Sequence, residues 1–205
     1  MGFTMTDEQI IESGLHELAQ IDPTTDRIEK WKSQLMDYQF NHEYPDDSYI
    51  WLTNVLALRA VNCGNFGVGC VLVDGSGNVV VQGHNENFDP YFRSDRHAEM
   101  VVMDKFEDTH QDHTELEGYT LYTSQEPCPM CLVRLITSIV NNVLYAAPDM
   151  SGGMVHEMKG LPPFWIELGE GKVFTQAKCS QEMIKGANDI FLLNVHELYE
   201  KLKNM

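Results

Sequence analysis

YTLYTSQEPCPMCLVRLITSIVNNVLYA, residues 119–146, is the stretch whose reading decides the fold. A β-prone run near Tyr119–Thr123 leads to a Pro-bounded corner. An apolar helical stretch follows over about Met130–Val140, and a second β-prone run lies near Asn142–Ala146. Strand, helix and strand thus succeed one another with short joints. Cys128 and Cys131 stand three apart at the expected helix start, so both sulfurs can turn toward one point. Backbone N–H groups and the helix dipole favour negative charge at such a start, which lowers thiol pKa values.

Working outward, residues Arg96–Phe106 read as a helix holding Met100, Val101 and Met103. Before it, Val68–Val73, the turn cluster Asp74–Asn78 and Val79–Gly83 read as a β-hairpin. Downstream, a loop rich in Gly and Pro spans about Asp149–Gly171. A strand follows at Val173–Ala177, then helices near Gln181–Asn188 and Val195–Leu202. Upstream, Met5–His42 reads as helical, broken at Asp22-Pro23, its second piece running from Ile28 through Phe40. Residues 44–48 form a turn and N-cap for a helix over Tyr49–Asn62. Strands alternating with helices predict an α/β fold, a three-layer α/β/α sandwich around a mixed five-stranded central sheet, with extra N-terminal helices.

Composition narrows the function classes. The 205 residues suit one domain with an added helical segment, and 43% hydrophobic against 22% charged residues is a globular balance. No apolar run reaches the roughly 18–20 residues of a membrane span. The opening, with Asp7, Glu8 and Glu12, is unlike a secretory signal, so a cytoplasmic location is expected. The five cysteines are odd in number and lack framework spacing. Cys63, Cys70 and Cys179 are expected as packed or idle thiols. Net charge is −17, from 14 Lys+Arg against 31 Asp+Glu, with no basic cluster. Nucleic acid is therefore an unfavoured partner, since binding it draws on phosphate-neutralising cations.

The chemistry lies in two short motifs, His97-Ala98-Glu99 and Pro127-Cys128-Pro129-Met130-Cys131. A lone C-x-x-C reads as a redox pair or half of a structural zinc site. A lone H-x-E on a helix is ordinarily surface or core decoration. Together they supply three zinc ligands, His97, Cys128 and Cys131, and leave a fourth position open, as catalytic zinc sites do. Glu99 is the carboxylate left free to carry protons. H-x-E followed by P-C-x-x-C is the signature of zinc deaminases. One Zn2+ per subunit is expected.

On these motifs, with Phe66-Gly67 before the hairpin, Gly83-His84-Asn85 after it and Glu126 ahead of Pro127, the stretch from about Asn65 to Ala177 resembles the cytidine deaminase-like superfamily. The nearer likeness is to the branch of guanine, fungal-type cytosine and tRNA adenosine deaminases. The resemblance implies that Asn85 hydrogen-bonds the substrate base, that Phe66 lines its pocket, and that a backbone N–H of Ala98 or Cys128 contacts the base. It also implies a homo-oligomer, with a dimer favoured. The expected division is a helical extension over 1–48 and a zinc-dependent deaminase domain over 49–205. Where the branch carries Asp-Pro-Thr-Ala, this chain has Arg93-Ser94-Asp95-Arg96, and each arginine is either an anion contact or a surface residue. His156, Phe164 and Trp165 of the long loop either cap a flat ring or pack beneath the loop. The expected substrate is a free base or small aminated heterocycle, guanine or cytosine favoured. The alternatives are a tRNA adenosine or nucleoside deaminase, and a catalytically idle zinc-stabilised binding protein.

Overall fold

Strand β1 (Gly69–Val73) is buried along its whole length, because both faces of the sheet are covered. Side chains alternate along it, as the strand period of two requires. Val71 and Val73 join one apolar core, while Cys70 and Leu72 join another. The structure is a computed structural model and describes residues 7–111 and 118–205.

β1 pairs antiparallel with β2 (Val79–His84) and with β3 (Thr120–Gln125). Parallel pairing then adds β4 (Asn142–Ala147) and β5 (Val173–Gln176), giving the order β2-β1-β3-β4-β5. This is the mixed five-stranded sheet expected. Against one face lie α3 (Asp47–Asn62) and α7 (Gln181–Phe191); against the other lie α4 (Ala98–Thr109) and α5 (Pro129–Thr137). α8 (Val195–Lys203) docks Val195 and Leu198 beside Phe66 at one end of the sheet.

The N-terminal helices α1 (Asp7–Ala19) and α2 (Asp26–Asp37) bury Ile10, Leu18, Ile28 and Leu35 in the same core as α3 and α7. Residues 5 and 6 of the expected first helix lie outside the described residues. Gly14 lets α1 approach α3: a Cβ there would stand 2.2 Å from the Trp51 ring. Trp51 in turn donates its indole N–H to the Leu35 carbonyl at 2.9 Å.

Three local expectations are corrected. The helix expected through Phe40 stops at Asp37, because the Tyr38 hydroxyl is drawn to Asp47 Oδ2 (2.6 Å) and Ser180 Oγ (2.7 Å). α3 begins at Asp47 behind Asp46, whose carboxylate leaves the cap to meet the Tyr122 hydroxyl and the Lys178 N–H. The 149–171 stretch is not all loop. It holds a 3-10 turn (Met158–Gly160) and α6 (Pro163–Leu168), started by Pro163 with its preset φ. Cys70 and Cys179 are buried as expected, while Cys63 is exposed.

Candidate active site

The sheet brings one set of segment ends to a single edge. β2 ends into Asn85, β1 begins after Phe66 and Val68, β3 ends into Glu126–Cys128, and β4 ends into Asp149. Pockets in open α/β sheets form at the carboxyl ends of parallel strands, and β3 and β4 supply those ends here. A cleft of about 120 Å³ opens there, lined among others by Phe66, Asn85, His97, Glu99, Glu126 and Cys128. That is close to the ~150 Å³ of an engineered cavity that accepts benzene, so one small ring system is its scale.

His97 and Cys128 are both N-cap residues, immediately ahead of α4 and α5 respectively. Their backbones are extended and their side chains do not cap, so imidazole and sulfur are free to converge. Pro129 fixes the first turn of α5, which carries the fully buried Cys131 inward. His97 Nδ1 lies 3.5 Å from Cys128 Sγ and 3.6 Å from Cys131 Sγ. Zn–N and Zn–S bonds at a tetrahedral angle place nitrogen and sulfur about 3.6 Å apart. The donor set therefore fits zinc in type and in spacing, and all three ligand atoms lie within 4.8 Å of one another.

The electrostatics suit a cation. A hydrogen bond from the Cys131 thiol, with His97 adding to it, draws the Cys128 thiol down toward the thiolate. The Cys131 thiol is pushed up by that same shared bond and by burial. Burial opposes charge on His97, but Cys128 outweighs it and the net direction is up. Glu99 is only 4% exposed, and burial followed by the Cys128 charge holds its carboxyl above the usual range. Its Oε2 accepts from Cys131 Sγ at 3.4 Å, so the carboxylate stands beside the three donors without completing them.

Asn85 lines the cleft and is 2% exposed. Phe66 belongs to an aromatic wall with Phe88 (5.8 Å), Phe191 (6.4 Å) and Tyr199 (5.6 Å). Ala98 is wholly buried in the first turn of α4, its side chain outside the cleft lining. Trp165 is not brought to the cleft. It sits on α6, edge-to-face with Phe164 at 5.1 Å, because the long loop folds that helix against α5. His156 does not line the cleft either; its ring Nδ1 and its backbone N–H both meet Oε1 of Glu126, which does, at 2.7 and 2.9 Å.

Sequence reasoning left Gln125, Asp149, Phe191 and Tyr199 out of the site. The one signal for Asp149 is its place just beyond a parallel strand. Nothing local marks Phe191 or Tyr199, which arrive from the C-terminal helices. The arginines are accounted for: Arg96 bonds Glu86 (2.6 Å) and Asp104 (3.2 Å), and Arg93 pairs with Asp95 (2.6 Å). Among the described residues no Lys or Arg lines the cleft.

Known proteins bear on this geometry. Residues 45–147 match the cytidine and deoxycytidylate deaminase zinc-binding region. The chain is 38% identical over 97 residues to a tRNA-specific adenosine deaminase of Bacillus subtilis (strain 168), a match covering 47% of this chain and 58% of that protein. Against a probable cytosine deaminase of Schizosaccharomyces pombe it is 30% identical over 122 residues, 59% of this chain and 72% of the other. The solved structure of guanine deaminase from Nitrosomonas europaea shares the fold at a TM-score of 0.56 and 17% identity, over 78% of this chain and 91% of that one. The match to the Bacillus protein thus spans little more than half of that relative's length.

Proposed function

This chain belongs to the family of the cytidine and deoxycytidylate deaminase zinc-binding region, and from that premise we propose that it is a zinc-dependent hydrolytic deaminase of a free nucleobase or similar small heterocycle, guanine or cytosine first. The observation that carries this reading is Glu99, a buried carboxylate beside a three-donor zinc set in a cleft scaled to one small ring system. A closed structural site would need no such carboxylate, which argues against an idle binding protein.

Zinc held by His97, Cys128 and Cys131 would supply a water acidified toward neutral pH. Glu99 would take a proton from that water as its oxygen bonds the amine-bearing carbon and pass it to the adjacent ring nitrogen, then take the second proton from the new hydroxyl and give it to the departing amine. The C–N bond breaks, a carbonyl replaces it, and ammonia leaves, so one water is consumed for each amine released. The apolar wall of Phe66, Phe191 and Tyr199 suits the flat faces of the ring.

Two observations favour a small uncharged substrate over a nucleotide. Among the described residues the cleft carries no Lys or Arg, and Arg96 is spent on Glu86 and Asp104. A second reading, deamination of adenosine in tRNA, draws its support from the printed function of the Bacillus relative. Zinc-loaded protein assayed for ammonia release across guanine, cytosine, adenine and their nucleosides tests the first reading. Binding of tRNA at moderate salt tests the second. Glu99→Ala is expected to keep zinc and lose about 10²–10⁴-fold or more in turnover; full activity in that variant would remove Glu99 from the reaction. Further proposals from the family likeness are a homodimer and the extension-plus-domain division at residue 48. Among the described residues no helix is long and apolar enough to cross a membrane.

A further inference from the structure

Asn85 does not stand alone at the cleft. Its Oδ1 accepts the backbone N–H of Asn87 at 3.0 Å, and its Nδ2 donates to Asn87 Oδ1 at 2.7 Å. Asn87 Nδ2 then donates to the Arg93 carbonyl at 2.6 Å. Asn85 and Asn87 are 2% and 3% exposed, while Arg93 lies on the surface loop that departs from the family pattern.

The polarity of this chain of bonds is fixed at both ends. A backbone N–H only donates, so Asn85 must present its oxygen to it. A backbone carbonyl only accepts, so Asn87 must present its nitrogen to Arg93. With those ends set, the middle bond runs one way, from Asn85 Nδ2 to Asn87 Oδ1. Neither side-chain amide can turn over without placing donor against donor or acceptor against acceptor.

What remains on Asn85 is one N–H and one lone pair. The two are not equal in demand. A buried N–H without a partner costs more than an oxygen that already accepts one bond and lacks a second. Once a ligand displaces water from the cleft, the free N–H needs an acceptor, whereas Oδ1 is already served.

We propose that Asn87 is a positioning residue that locks the Asn85 amide, and that the cleft therefore selects rings offering an acceptor, a carbonyl oxygen first, on the edge that Asn85 reads. This rests on the reading of Asn85 as the base contact. Asn87 itself touches no substrate; it acts through Asn85.

The test uses two pairs of rings in which an amino group replaces a carbonyl: guanine with 2,6-diaminopurine, and cytosine with 2,4-diaminopyrimidine. Binding is measured by calorimetry on full-length, zinc-loaded protein carrying Glu99→Ala, so that no turnover intervenes. With Asn87 present, the carbonyl ring of at least one pair is expected to bind about tenfold tighter or better. Asn87→Ala keeps the backbone N–H on Oδ1 but removes the acceptor of Nδ2, so one of the two bonds that hold the amide is lost and the preference should shrink to within about threefold. Asn87→Asp keeps the acceptor that holds Asn85 but loses the donor to Arg93, so the preference should survive. If Asn87 merely held the 93–96 loop, Asp and Ala would fail alike, and that result overturns the proposal. So does an unchanged preference in Asn87→Ala, equal binding of amino and carbonyl rings, or no binding by any of the four. Asn87→Gln, which moves the amide one methylene out of register, replaces the Ala variant if that protein does not fold. Ammonia release from the same rings by protein retaining Glu99 separates the two readings: tight, carbonyl-selective binding without release leaves this proposal standing and removes the deaminase.

Discussion

Replacing Glu126 with Gln should loosen one wall of the cleft while leaving the three metal donors in place. The Glu126 side chain is fully shielded from solvent and accepts three N–H groups. Oε1 takes the backbone N–H and ring Nδ1 of His156, and Oε2 takes the Asp149 N–H at 3.0 Å. Only a group with acceptors on both ends can do this, and an ionised carboxylate is one. Gln keeps one oxygen, which the two His156 bonds claim, and so turns its NH₂ toward the Asp149 N–H. One charge-assisted bond is lost and a donor is left facing a donor, a cost of about 2 kcal/mol. Little relaxation is open to the loop, because Gly153 packs its backbone on this side chain: a Cβ there would lie 2.6 Å from Glu126 Cδ. For a chain of this length the thermal midpoint should fall by about 4–8 °C. Since Asp149 lines the cleft, KM should rise more than kcat falls.

The pH dependence carries the same signature. Burial raises the Glu126 carboxyl, but the His156 N–H, the His156 ring and the Asp149 N–H outweigh it, and the net direction is down. A carboxyl held below its unfolded value stabilises above the ordinary carboxylate range, and that contribution disappears as pH falls through the folded value. Scanning calorimetry of both proteins from pH 7 downward should therefore show the two midpoints converging in acid. A difference at pH 7 below about 1 °C, or one that persists unchanged in acid, refutes the role assigned to Glu126.

Other expectations are more direct. Cys128→Ala and Cys131→Ala should each lose zinc, read by metal analysis after dialysis; a zinc-replete, active variant would show that the thiols are not ligands. Gly14→Ala drives a methyl into the Trp51 ring and should cost about 1–3 kcal/mol in denaturant unfolding. Zinc content and KM should stay unchanged there, since α1 contributes nothing to the cleft lining.

Much of this protein is legible without coordinates. The hairpin around Asp74–Asn78 declares itself because its turn is stabilised locally, Asp74 Oδ1 accepting from Ser76 and Asn78 N–H groups. Helix α7 is read near Gln181–Asn188, and the structure shows its start stabilised locally, the Ser180 hydroxyl accepting the Met183 N–H at 3.3 Å. Elements went astray where a distant partner overrides the local preference, as when Asp47 and Ser180 draw Tyr38 out of α2. Trp165 shows the same limit in the site. An aromatic residue in a long loop reads equally as a lid or as packing, and only the seating of α6 decides between them.

By itself the sequence determined the candidate metal donors, the carboxylate beside them and the layer order. Ligand type, the free carboxylate and the alternation of strands with helices are properties of short spacings, and short spacings survive any packing. Tertiary structure alone decided the size of the cleft, its aromatic wall from α7 and α8, the bond from His156 to Glu126, and the bonds between Asn85 and Asn87. Those depend on which segment ends the sheet gathers at one edge. Strand order sets that gathering, and residues far apart along the chain leave no mark in sequence of the contacts they will make.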